Sequence, residues 1–162
     1  MEKLYLPHPD GAVGVEITLA LVEQLEEGGS LLELAERLVA KELKLAEAVT
    51  LLKSVYAHAG ITAPPDDFIV AQQPHLHLAR LLTAIIAPLS ALGAIDQPKK
   101  SLSLRSLRRF YLGVLRWEPQ ALRAARLTDL EDAWKGYALH HGIETEPVTR
   151  AFMDEMLKKF GG

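Results

Sequence analysis

The stretch Val13-Gly-Val-Glu-Ile-Thr-Leu-Ala-Leu-Val-Glu-Gln-Leu-Glu-Glu-Gly-Gly29 changes its apolar period in the middle, and this change decides the fold. From Val13 to Ile17 apolar residues alternate with other residues, which is the period of a strand. After Thr18, a residue type that favours a helix N-cap, apolar residues recur with helical spacing until the Gly28-Gly29 pair. The stretch therefore predicts a short strand that leads directly into a helix.

A second short apolar segment lies on the N-terminal side of this strand. Tyr5 and Leu6 are separated from Val13 by Pro7-His-Pro-Asp-Gly11, and the Asp-Gly step in that segment favours a tight turn. We therefore expect a small β-hairpin at the N-terminus.

The rest of the chain has mainly helical periodicity. Ser30-Leu-Leu-Glu33 and Thr128-Asp-Leu-Glu131 each predict a capping box at a helix start. The fold class expected is mainly α: a short N-terminal β-hairpin, a compact helical module and a smaller C-terminal helical module. In the first module, further helices are predicted from about residue 43 to near Gly60, over Phe68 to Val70, and over residues 75–92. In the second module, one helix is predicted to begin at a Ser101 or Ser103 cap and a short one to follow Trp117-Glu-Pro119. A last helix is predicted from about Thr149 to Phe160.

Charge is distributed unevenly along the chain. Residues 1–98 carry 13 Asp and Glu against 6 Lys and Arg, whereas residues 99–126 carry 8 basic residues against one acid. The formal net charge of −3 hides this basic segment. We predict a body over residues 1–93, a linker over 94–101 and a small helical extension over 102–162.

Composition excludes several kinds of site. The chain contains no Cys, so disulfides, thiolate metal sites and cysteine nucleophiles are ruled out.

The first ten residues lack the basic start and apolar run of a signal peptide. The most apolar segment, Leu76 to Leu92, contains Arg80 and Pro88 and is short for a bilayer span. We expect neither export nor membrane insertion.

No pattern for catalysis, a metal or a cofactor is found in the sequence. His75 and His77 are two residues apart, whereas a pair of metal ligands on one helix face needs a spacing of three or four. His140-His141 lies at a predicted helix end, where carbonyl contacts explain imidazoles. Phosphate-binding glycine loops and nucleophile elbows are missing. We therefore predict a protein that is not an enzyme.

The basic segment 99–126 suggests a binding surface. Its arginines and interleaved aromatic residues could follow a nucleic-acid backbone, so a helical nucleic-acid-binding adaptor is the alternative reading. The aromatic residues fall on the apolar helical face, however, which favours packing and a protein partner. The residues predicted to bind a protein are Arg105, Arg108, Arg109, Arg116, Trp117 and Trp134.

Three segments of the first module resemble the tail assembly chaperones of gene transfer agents and of long-tailed bacteriophages and prophages. They are Gly14 to Glu26, Ser30 to Leu38 and Leu51 to Gly60. The C-terminal module resembles a small companion protein from the same tail gene clusters. That likeness is carried by Trp117-Glu-Pro119, by Leu127 to Tyr137 and by Pro147 to Phe160.

The resemblance implies a non-catalytic function in virion assembly. Chaperones of this family bind the tape measure protein, whose hydrophobic helices would otherwise aggregate, and recruit tail tube subunits around it. They act in the cytoplasm of the host bacterium and are absent from the mature particle. The charge distribution and the layout of the family together suggest that residues 1–93 form an oligomerising body that binds the tape measure protein, and that the basic segment and the C-terminal helices contact the tail tube protein. The joined modules could arise from a ribosomal frameshift, a gene fusion or a single gene.

Overall fold

The computed structural model describes residues 3–96 and 101–143, and it begins with the predicted hairpin. Strand β1 (Lys3–Leu6) pairs antiparallel with β2 (Val13–Glu16), and Leu4 lies opposite Val15. Both of these side chains are buried, so one face of the hairpin belongs to the core. The hairpin prediction is confirmed.

Helices make up most of the described chain, which confirms the mainly α fold class. The predicted helix from Thr149 to Phe160 lies outside the described residues. The helices of the first half are α1 (Leu19–Glu27), α2 (Leu31–Val39), α3 (Leu45–His58), α4 (Asp66–Ala71) and α5 (Pro74–Ala91). The elements that follow are β3 (Ile95–Asp96), β4 (Ser101–Leu102), α6 (Leu104–Arg109), a π-helix (Phe110–Val114), α7 (Pro119–Ala124) and α8 (Leu127–His140).

The chain forms two compact units. The first contains residues 1–17 and 21–85, and the second contains residues 18–20 and 86–162. The division therefore falls inside α5. The short pair β3–β4 lies at the edges of the segment that the sequence marked as a linker, and its pairing of Ile95 with Leu102 was not predicted. The functional division into a 1–93 body, a 94–101 linker and a 102–162 extension stays a prediction.

Leucine and valine side chains fill the core of the first unit. The Tyr56 hydroxyl of α3 donates a hydrogen bond to the Pro7 carbonyl, which fixes the hairpin loop against that helix. His75 at the start of α5 contacts the Leu43 carbonyl through Nε2 at 2.9 Å. Each of these contacts joins segments that are more than thirty residues apart in the chain.

Two helix starts were predicted from capping boxes, and they have different outcomes. The Ser30 hydroxyl accepts a hydrogen bond from the Glu33 amide at 3.3 Å, so α2 begins at Leu31 as expected, through the serine half of the predicted box. The prediction for Thr128 was wrong, because α8 already begins at Leu127 with Arg126 at its N-cap. There the Asp129 carboxylate accepts the Arg126 amide at 3.2 Å.

Tertiary contacts within the second unit limit how early α8 can begin. Thr18 and Arg126 form an antiparallel bridge, and the Leu19 amide donates to the Ala125 carbonyl at 3.1 Å. These contacts hold residues 125 and 126 in extended conformation. The helix can therefore begin only after Arg126, and Thr128 falls inside its first turn.

Candidate partner-binding surfaces

An open groove in the first unit is lined mainly by apolar side chains. It lies between the end of α1, the helix α2 and the first half of α3, and its volume is about 430 Å³. Leu25, Leu31 and Leu43 are buried at the groove, whereas Leu34 and Leu51 are half-buried. The half-buried leucines offer apolar surface that a partner could cover.

The turn between α1 and α2 forms one end of this groove. Gly29 has a φ of +141°, a conformation that side-chain-bearing residues rarely adopt. The Glu26 carboxylate accepts a hydrogen bond from the Leu31 amide at 3.0 Å, and the Ser30 hydroxyl accepts one from the Glu33 amide. Both groups satisfy free amides in the first turn of α2, so this end of the groove is locally well defined.

An ion pair spans α2 and α3 at the groove. The Arg37 guanidinium donates to the Glu47 carboxylate at 2.6 Å, and the same carboxylate accepts the Lys44 amide at 3.1 Å. The hydrogen bond from the Lys44 amide, with the nearby Arg37, lowers the pKa of Glu47 below its usual value, although burial opposes the shift. Glu47 therefore fixes the start of α3 and holds Arg37 in place.

The predicted arginine face is exposed on the second unit. Arg105, Arg108 and Arg109 all face solvent on α6, and their spacing of three and four residues puts them on adjacent turns of one helix. The buried side of the same helix contributes Leu107, followed by Phe110 of the π-helix. The separation of a basic face from an apolar face, predicted from the sequence, is confirmed.

Arg116 is also exposed and has an unusual backbone. Its φ is +60°, a conformation that glycine adopts more readily than arginine. It follows the π-helix, in which the Leu115 amide donates to the Phe110 carbonyl at 3.1 Å, five residues back. Local π-helical turns often occur at functional sites. The chain thus presents Arg116 from a strained and irregular turn.

The two predicted tryptophans lie in a different environment from the arginines. Trp134 is only 3% exposed and packs edge-on against Phe110, with ring centroids 5.5 Å apart. Trp117 is half-buried and packs against Tyr111 at 5.2 Å. Trp134 therefore belongs to the core, which corrects its assignment to a binding surface, whereas the four arginines and part of the Trp117 ring are accessible.

The two histidine pairs singled out in the sequence, His75 with His77 and His140 with His141, make different contacts in the structure. His75 contacts a carbonyl, whereas burial, and then the nearby Arg80, lower the pKa of His77. The rings of His140 and His141 pack edge to face at 5.1 Å, and His141 lies 4.2 Å from the Tyr137 ring. Among the described residues, no three potential metal-ligating side chains come together.

No protein-family model matches this chain, and comparisons with curated proteins and with solved structures find no match. Over residues 3–96 and 101–143, no helix combines the length and the apolar character that a membrane crossing requires.

Sequence reasoning did not identify the groove. Helical periodicity predicts α2 and α3, but it does not show that Leu34 and Leu51 remain partly open. The pairing of Arg37 with Glu47 involves two residues ten positions apart and depends on the angle between two helices. The Gly28-Gly29 pair, which follows the last residue of α1 and lines the groove, is the one local signal in the sequence that lies at this site.

Proposed function

We propose that this protein is a non-catalytic tail assembly chaperone that binds the tape measure protein and recruits tail tube subunits. The groove of the first unit is the observation that carries the proposal. A chaperone for hydrophobic helices needs an accessible apolar surface, and Leu34 and Leu51 provide one beside the buried leucines. The resemblance of the segments 14–26, 30–38 and 51–60 to chaperones of this class supports that role.

The exposed arginines are the proposed contact for the tail tube protein. Arginine is enriched at protein interfaces because its guanidinium forms several directed hydrogen bonds and packs on apolar surface. Arg105 and Arg109 are one helical turn apart, so a single acidic segment could contact both. The chaperone would act in the host cytoplasm and leave before the particle is complete.

Co-expression of the full chain with tape measure and tail tube proteins from the same genome tests the proposal. The wild-type chain is expected to keep the tape measure protein soluble and to retain both partners on purification. The variant Arg105→Glu/Arg109→Glu is expected to lose the tail tube protein and keep the tape measure protein. A tape measure protein that aggregates equally with and without the chain would refute the proposal.

The arginine face also supports a second candidate, a nucleic-acid-binding adaptor. Neutralising several phosphates would make affinity fall steeply as salt increases. Binding of the full chain to double-stranded and single-stranded DNA and RNA, measured at increasing salt, tests this candidate. Loss of that affinity in Arg105→Ala/Arg109→Ala would assign the arginine face to nucleic acid, and it would favour the adaptor over the chaperone if the wild-type chain also fails to retain the two tail proteins.

A further inference from the structure

We infer that the groove selects an amphipathic α-helix that carries a basic residue beside its apolar face, and that this residue pairs with Glu33. The inference rests on the proposed function and specifies which part of a partner the first unit would recognise. It depends on the lining of the groove and on the positions of three charged side chains.

Helical walls determine the conformation of the occupant. The groove is bounded by α2 and α3, whose backbone groups are largely engaged within their own helices. An extended peptide would find no strand edge there, so its amides and carbonyls would lose water without gaining partners. A helix satisfies these groups internally and can place apolar side chains against Leu34 and Leu51.

The charges at the groove determine its preference for a basic residue. Arg37 and Glu47 neutralise each other at 2.6 Å, which leaves Glu33 as the remaining charged side chain of the lining. Glu33 is exposed and lies one turn before Arg37 on α2. Glu27 is exposed just before the turn that lines the same end of the groove. This end is therefore acidic.

A lysine or arginine suits this acidic end in two ways. Its methylene stem can lie along the half-buried Leu34 while its charged group reaches the Glu33 carboxylate. A glutamate at the same place in the partner would face Glu33 and be repelled. The groove would thus distinguish helices by one charge in addition to their apolar face.

Designed peptides test this preference on the full-length protein. Three fluorescent amphipathic peptides of about 18 residues, long enough for about five turns, share a leucine face and differ at one flanking position, which is Lys, Gln or Glu. The Lys peptide is expected to bind roughly three- to five-fold more tightly than the Gln peptide in fluorescence anisotropy, the range for one partly exposed ion pair. The Glu peptide is expected to bind most weakly.

Variants of Glu33 assign the preference to the proposed contact. Glu33→Gln keeps the backbone contact with Ser30 and is expected to bind the Lys and Gln peptides equally. Glu33→Lys is expected to favour the Glu peptide. The matched control Glu118→Lys changes an exposed acid of the second unit and should leave the order of the peptides unchanged.

Variants of the apolar lining assign binding to the groove. Leu34→Ala and Leu34→Asp are expected to weaken all three peptides, whereas Leu139→Asp, at a residue that is 81% exposed in the second unit, should not. Circular dichroism checks that each variant is folded. If Leu34→Asp does not fold, Leu34→Ala alone tests the contribution of the groove.

Two results would overturn the inference. One is equal binding of the three peptides by the wild-type protein, which would show that charge plays no part. The other is peptide binding that Leu34→Ala and Glu33→Gln both leave unchanged. Either result is compatible with retention of the tape measure protein, so failure of this inference can be told apart from failure of the proposed function.

Discussion

The hydroxyl of Tyr111 donates a buried hydrogen bond to the backbone carbonyl of Leu130, and this bond joins the π-helix to α8. The Tyr111 ring also packs edge-on against Phe110 and Trp117, at 5.4 Å and 5.2 Å. The Tyr111 side chain therefore connects the π-helix, the segment at Trp117 and α8.

Removing this hydroxyl should destabilise the protein. We expect Tyr111→Phe to lower the free energy of unfolding by about 1 kcal/mol, because the ring remains and one buried hydrogen bond is lost. Urea unfolding followed by circular dichroism measures the change. Tyr5→Phe is the control, since Tyr5 is 62% exposed, and equal effects of the two substitutions would contradict the assigned role of Tyr111.

Stability should fall at alkaline pH, partly because of the same residue. Burial, with the nearby Glu131, raises the pKa of Tyr111 well above the ordinary value of 10.0. Above that pH the unfolded chain releases the phenol proton and the folded chain keeps it, so stability is lost as the pH rises, by up to about 1.4 kcal/mol per pH unit. The free energy of unfolding, plotted against pH from neutral to alkaline values, should fall less steeply for Tyr111→Phe than for the wild type. Parallel curves for wild type and variant would contradict this assignment.

The start of α8 should depend on Asp129 and not on Thr128. The Asp129 carboxylate accepts from the Arg126 amide, and it also accepts from Nε and Nη2 of the Arg126 guanidinium, each at 3.1 Å. We expect Asp129→Ala to cost about 1 kcal/mol, the usual effect of losing a helix cap, and Thr128→Ala to cost clearly less. Thermal and urea unfolding measure both. A larger loss for Thr128→Ala would restore the cap predicted from the sequence.

The two glycines between α1 and α2 should differ in their tolerance of a side chain. A Cβ at Gly29 would meet no atom within 4 Å, but the φ of +141° is strained for alanine. We therefore expect Gly29→Ala to destabilise the protein by about 1–3 kcal/mol through backbone strain alone. At Gly28 a Cβ would make an ordinary contact of 3.5 Å with the Leu25 carbonyl, so Gly28→Ala should cost less. Urea unfolding of the pair checks the order.

The positive φ of Arg116 predicts that glycine at this position gives a more stable protein than alanine. Its φ of +60° suits glycine, so Arg116→Gly should be more stable than Arg116→Ala by about 1 kcal/mol. Both substitutions remove the same charge, which isolates the backbone effect. Differential scanning calorimetry of the two variants measures it, and equal melting temperatures would show that the backbone at this position relaxes without cost.

Local signals in the sequence were sufficient for much of the fold. The period change at Thr18, the glycines after α1 and the Ser30 cap each act within a few residues, and they correctly placed the hairpin, α1 and α2. The buried positions of Leu107 in α6 and of Phe110 at the start of the π-helix follow from helical spacing in the same way.

Features that depend on distant contacts could not be predicted. The first residue of α8 is set by pairing of Thr18 with Arg126, which are more than one hundred residues apart. Trp134 is among the residues predicted to bind a protein, but its ring is buried in the second unit beside Phe110. The shape of the groove depends on the angle at which α2 and α3 pack, and the periodicity of the sequence does not predict that angle.

The π-helix has a consequence for how this chain could change in length. A π-helical turn accommodates one residue more than an α-helical turn, so Phe110–Val114 holds an extra residue within the helical path. Deletion of the exposed Gly113, where a Cβ would meet no atom, would let this turn close as an ordinary continuation of α6. The same deletion within α8 would rotate the following side chains by about 100° around the helix axis. Single-residue length variation among descendants of this chain should therefore concentrate at the π-helix.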